Sequence, residues 1–149
     1  MDCNGEVIAS LIQQLDQAYQ PAKVEVVAAC KAVEFGSELG VGCVIVEDDS
    51  EVIVKALRNK DNGLISFAPL MNDVSLFSSL FSELSYSHIR RDGNKVAYSL
   101  ARLALITLDC TVWMEDVPSR TLHFVQADLA VFLFYLMNCL QKKKNLAQS

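Results

Sequence analysis

The sequence predicts an α/β domain in which a mixed sheet is flanked by helices. Segments with apolar residues at helical spacing alternate along the chain with short segments that suit strands, which is the order typical of this fold class. Residues 41–46 are continuously apolar and rich in β-branched side chains, as expected for a strand covered on both faces. With 149 residues, of which 52% are hydrophobic, the chain is long enough to bury a core, and disordered and collagen-like classes are excluded.

Charge and cysteine usage narrow the function classes further. Thirteen basic against eighteen acidic residues give a net charge of −5, so any contact with nucleic acid has to be local rather than a broad basic surface. Five cysteines without a C-x-x-C pair, together with two histidines, do not resemble a zinc site. Free thiols and the lack of a signal peptide predict an intracellular protein, nuclear or cytoplasmic.

The N-terminal part predicts a turn, a strand and a helix. Asn4-Gly5 is a common turn dipeptide, and residues 6–15 alternate as a strand does. The first helix is predicted between Pro21, which suits a first helical position, and Gly40, which suits a helix end. Its predicted apolar face consists of Val24, Ala28, Ala32, Phe35 and Leu39.

Glu25 lies outside both the apolar and the polar face of this helix. At about 100° per residue it sits over Ala29 and Val33, on the packing side. A carboxylate there is costly unless it has a partner or a metal ion. The alternative is a partly solvated carboxylate near the helix N-terminus, where the helix dipole stabilises it.

An acidic cluster, Glu47-Asp48-Asp49-Ser50, follows the apolar strand 41–47. Ser50 suits the N-cap of a helix over residues 51–58, so helix capping alone also explains this cluster. We predict that the helix turns four apolar side chains inward: Val52, Ile53, Ala56 and Leu57.

The second half predicts three more helices and one strand. Residues 70–84 have helical apolar spacing, residues 86–90 suit a strand, and Asn94 suits the N-cap of a helix. The apolar stripe of that helix consists of Val96, Leu100, Leu103 and Ala104. Residues 111–118 break it, and residues 121–141 are predicted helical.

Taken in order, these features resemble the plant retroelement-type ribonuclease H domain, the reverse-transcriptase-like subgroup of the ribonuclease H-like superfamily. Three segments carry the resemblance: VEVVAACKAVEFGSELG (24–40), VIVEDDSEVIVKAL (44–57) and SHIRRDGNKVAYSLARLAL (87–105). The motifs WMEDVP (113–118) and VQADL (125–129) agree with it. The predicted domain is 1–129, followed by a divergent apolar helical tail, 130–149, that ends in a lysine cluster.

The resemblance implies hydrolysis of the RNA strand of an RNA–DNA hybrid by two Mg²⁺ or Mn²⁺ ions held by carboxylates. Glu25 matches the family's helix Glu and Asp49 its strand-end Asp, so these two are the predicted catalytic and metal-binding residues. Tyr98 occupies the position of the family's last Asp and is neutral at pH 7. The first-strand Asp has no counterpart, because the sequence begins at the turn between the family's second and third strands.

Two of the family's four metal carboxylates are thus matched, and weak metal binding without family-like cleavage is expected. Asp48 is a poor substitute for Asp49, since adjacent strand residues point to opposite faces. Arg90, Arg91 and Lys95 form a basic cluster that suits phosphate contact, with a solvated turn as the alternative.

Without the first two strands, the segment 41–47 has an open edge. Residues 6–15 can pair beside it, the 121–141 helix can pack over the gap, or the chain can form a homo-oligomer. We favour a sheet in which residues 6–15 and 84–90 flank 41–47, because this keeps the order of strands and helices with the least rearrangement. Stable membrane insertion is not expected, because the apolar run from Leu129 to Leu140 is shorter than the roughly twenty residues that span a bilayer.

Three functional hypotheses remain open: an active ribonuclease H, a catalytically silent domain that binds nucleic acid or a partner, and a tail-anchored membrane fragment. His88 is interpreted as a polar strand residue at the surface, and its position before the turn R-R-D-G-N also allows a role in substrate binding or product release. A thiol hydrolase that uses a cysteine with His88 or His123 lacks a recognisable nucleophile motif.

Overall fold

The computed structural model describes residues 1–2, 4–59 and 67–127. Its helices and strands are β1 (Ala9–Ile12), α1 (Pro21–Glu38), β2 (Cys43–Asp48), α2 (Glu51–Asn59), α3 (Ala68–Ser78), β3 (Glu83–His88), α4 (Lys95–Ala104) and β4 (Thr111–Met114). The described residues form two compact units, one within Gln17–Asn94 and the other from Met1–Asp16 together with 95–127. The predicted α/β class is confirmed, since helices alternate with short strands.

In the unit Gln17–Asn94, β2 and β3 form a parallel pair, with Cys43 opposite Glu83 and Asp48 opposite His88. Alternation turns Val44 and Val46 toward a core that α1, α2 and α3 also contribute to. Ile45 is 67% exposed, so the prediction that both faces of this strand are covered is wrong.

The buried face of α1 differs from the predicted one. Val26, Ala29, Cys30 and Val33 are buried, whereas Val24, Ala28 and Ala32 are exposed. Small apolar residues lie on several sides of this helix, so its sequence does not single out one face as the buried one. The buried face of α2 also differs from the predicted one, because Val52 is 65% exposed and Val54 is buried instead. The buried residues of this helix are Ile53, Val54, Ala56 and Leu57.

The helix predicted over 70–84 ends earlier. The Ser78 hydroxyl donates to the Val74 carbonyl in the last turn of α3, and the backbone then leaves the helix. The backbone N–H groups of Ser82 and Glu83 donate to the Gly42 carbonyl, which starts β3 beside β2. Leu84 therefore reaches the core from a strand rather than from a helix.

In the other unit, β1 pairs with β4 in antiparallel register, Ala9 opposite Met114 and Ile12 opposite Thr111. The expected pairing of residues 6–15 beside 41–47 is therefore wrong, because β1 and β2 lie in different sheets. The sequence TVWM at 111–114 breaks the helix as predicted, but its β-branched and aromatic residues also supply the partner strand for β1.

The same unit closes around a few buried polar contacts. The Ser10 hydroxyl donates to the Asp116 carbonyl at 2.9 Å, and Thr121, at the start of the helical residues 119–127, shares a hydrogen bond of 3.0 Å with Ser99 on α4. Glu115 takes a positive φ of 56°, which bends the chain directly after β4.

The tail predicted over 130–149 lies outside the described residues. Within 1–2, 4–59 and 67–127, we find no helix whose length and apolar character would let it cross a bilayer.

Candidate functional site

Glu25 is placed by the first turns of α1. Pro21 opens the helix, and its fixed φ suits that position. The stripe that continues from Glu25 contains Ala29 and Val33, which are 3% and 0% exposed. Glu25 itself is half-buried. The prediction that this carboxylate lies on the packing side of the helix is confirmed.

Asp48 ends β2 on the same face as Val44 and Val46. Its Oδ1 accepts the backbone N–H of Ser50 at 2.7 Å, and its backbone carbonyl accepts the N–H of Ile89 at 3.0 Å. The strand register places His88 beside it at the end of β3. The two parallel strands thus place a carboxylic acid residue and a histidine side by side at their C-terminal ends.

Burial, a hydrogen bond and neighbouring charges all act on the pKa of Asp48. Burial raises the pKa of the Asp48 carboxyl, the Ser50 N–H opposes that shift, and the negative charges of Glu25 and Asp49 add to the increase. His88 acts in the opposite direction. The negative charges of Glu25 and Asp49 therefore disfavour the charged form of Asp48.

Asp49 comes directly after β2 and is held by the segment that follows β3. Its Oδ2 accepts from Arg91 Nε and its Oδ1 from Asn94 Nδ2, each at 3.3 Å. The Asp49 side chain is 28% exposed and that of Arg91 is 83% exposed. Both oxygens of this carboxylate thus have partners from residues 91–94.

The remaining predicted residues are on the surface. Arg90 and Lys95 are exposed, and Lys95 opens α4. Tyr98 is 53% exposed, and Arg102 on the next turn lies 6.0 Å from the centre of its ring. Tyr98 carries no negative charge that could hold a metal ion.

Three features of this arrangement were not predicted from the sequence: Asp48 on the core-facing side of β2, and Arg91 and Asn94 as partners of Asp49. The first could have been found, because Val44, Val46 and Asp48 share one face of β2 by simple alternation. Asp49 lies beyond the strand, where alternation no longer decides the direction of a side chain. Its two partners are 42 and 45 residues away, and no local pattern links them.

The carboxylates of the described residues differ from the two-metal centre that the resemblance implies. In the part of the chain that the structure describes, no group of three or more His, Cys, Asp or Glu side chains is arranged to hold a metal ion. The two-metal centre needs several carboxylates that converge on two ions. The described residues therefore do not fit a two-metal centre.

Comparison with known proteins identifies the fold and a family. Residues 1–104 match the family described as reverse transcriptase-like. Among solved structures, the chain is similar to RNase H1 from the halophilic archaeon Halobacterium salinarum NRC-1, with a TM-score of 0.55 and 22% identity over 59% of this chain and 67% of that one. This likeness shows the fold alone. No curated protein matches the sequence.

Proposed function

The chain belongs to the reverse transcriptase-like family of ribonuclease H-like domains, and we propose that it binds RNA–DNA hybrids without cleaving them at a family-like rate. The observation that carries the proposal is Tyr98. A neutral, exposed phenol stands where the resemblance expects a metal-binding Asp. A retroelement origin belongs to the same proposal and is supported by the family match.

Residual metal binding is proposed for Glu25 and Asp49, with one Mg²⁺ or Mn²⁺ held weakly. Both are hard cations that take carboxylate oxygens, and Mg²⁺ is commonly held by one or two protein carboxylates together with substrate phosphates. The half-buried position of Glu25 and the effect of the negative charges of Glu25 and Asp49 on the pKa of Asp48 support this assignment.

The cleavage test uses a labelled RNA–DNA hybrid with Mg²⁺ or Mn²⁺ and the variants Glu25→Gln and Asp49→Asn. We expect no metal-dependent products from the wild-type chain. Cleavage that disappears in both variants would overturn the proposed loss of activity and leave the family assignment untouched.

Hybrid binding is proposed to use Arg90, Arg91 and Lys95. The exposed side chains of Arg90 and Lys95 support it, since phosphate contacts require accessible cations. Fluorescence anisotropy with Arg90→Gln and Lys95→Gln tests it, and Lys55→Gln on α2 is a control with the same change in charge. Each phosphate contact that is lost makes the plot of log binding constant against log salt concentration less steep by roughly 0.7 to 0.9. Equal effects of all three variants would contradict a local site.

A homo-oligomer through the edge of β2 is proposed as well. Within the described residues β3 is the single strand that pairs with β2, and Ile45 on β2 is 67% exposed. Sedimentation velocity on the wild-type chain and Ile45→Lys tests it, with Val52→Lys as the control because Val52 is similarly exposed on α2. A wild-type protein that stays monomeric at high concentration contradicts it.

A further inference from the structure

The strongest unexplained feature of the site is the pair of hydrogen bonds on Asp49. Arg91 and Asn94 come from the short segment after β3, where the 3₁₀ turn Arg91–Gly93 is closed by the Gly93 N–H donating to the Arg90 carbonyl at 2.8 Å. Asn94 follows, its backbone N–H donating to the Arg91 carbonyl at 3.1 Å. This turn places a guanidinium and an amide on the two oxygens of one carboxylate.

Asp49 is the last of three consecutive acidic residues, Glu47-Asp48-Asp49. A nearby cation reduces the repulsion between neighbouring carboxylates. A divalent ion is one way to balance such a cluster. A guanidinium is the other, because it stays charged at every relevant pH and matches the geometry of a carboxylate.

We propose that Arg91 is the counter-ion of Asp49: its guanidinium pairs with the carboxylate and so opposes the binding of a divalent cation there. This inference rests on the proposed function, since it gives a physical reason for weak metal binding. The bonds are 3.3 Å long and the guanidinium is largely exposed, so the pair competes with a metal ion without excluding it.

Direct titration with Mn²⁺, in the absence of nucleic acid, tests the inference. The free ion is followed by electron paramagnetic resonance with the wild-type chain, Arg91→Gln and Arg90→Gln. Both variants remove one positive charge from an exposed position, so the general attraction of the protein for a cation changes equally. Arg91→Gln alone also releases Asp49.

We expect Arg91→Gln to bind Mn²⁺ about two- to fivefold more tightly than Arg90→Gln, the range that corresponds to a surface ion pair. Adding Asp49→Asn should abolish that difference. Equal affinities of the two single variants, or a gain that persists with Asp49→Asn, would overturn the inference. Hybrid binding measured without divalent ions reports on the proposed function separately, so the two failures are distinguishable.

Discussion

Truncation of Val33 tests the packing that places Glu25. Val33 belongs to the helix stripe that starts at Glu25 and is completely buried in the core. Val33→Ala shortens the buried side chain by two methyl-sized groups, which loses about 1.6 kcal/mol of transfer free energy. The cavity left behind raises this loss by up to about 1 kcal/mol. Alanine's higher helix propensity returns roughly 0.5 kcal/mol. The free energy of unfolding should therefore fall by about 2 kcal/mol.

Val52→Ala is the matched control, because it makes the same change in a helix at a position that is 65% exposed. Little transfer free energy is lost there, and helix propensity offsets it, so stability should change by less than about 0.5 kcal/mol. Urea unfolding followed by circular dichroism measures both, with an unchanged m-value as the sign that the same transition is observed. Equal costs at the two positions would refute the assigned helix faces.

Three further changes test other parts of the fold. Asp48→Asn should stabilise the protein at neutral pH and have no effect in acid. Burial and neighbouring carboxylates raise the pKa of Asp48 in the folded protein, so the ionised carboxylate lowers the free energy of unfolding as pH rises through that raised pKa. Urea midpoints across pH measure the effect, and a pH-independent difference would contradict it. Thr121→Val should cost about 1 kcal/mol, since Thr121 is fully buried and its hydroxyl bonds Ser99; thermal denaturation measures this, and no loss would show the bond to be dispensable. Gly40→Ala should lower the free energy of unfolding by about 1–2 kcal/mol, because Gly40 has a φ of 69° and an alanine side chain is strained in that left-handed conformation. Gly93→Ala should be almost neutral, because Gly93 is not held at a positive φ. Equal melting temperatures for the two variants would refute this.

The sequence by itself determined the features that depend on neighbouring residues. Pro21 marks the start of α1, and the acidic cluster marks the step from β2 to α2. Helical periodicity also placed Glu25 over Ala29 and Val33. These predictions are confirmed because capping, fixed φ values and side-chain periods act within a few residues.

Only the tertiary structure decided which strand pairs with β1, which faces of α1 and α2 are buried, and what holds Asp49. TVWM at 111–114 lies about a hundred residues from β1, and Arg91 lies 42 residues from Asp49. For α1, apolar residues on several sides made more than one face acceptable. The choice was made by contacts between distant segments, whose free energy depends on how the whole chain closes and not on any local pattern.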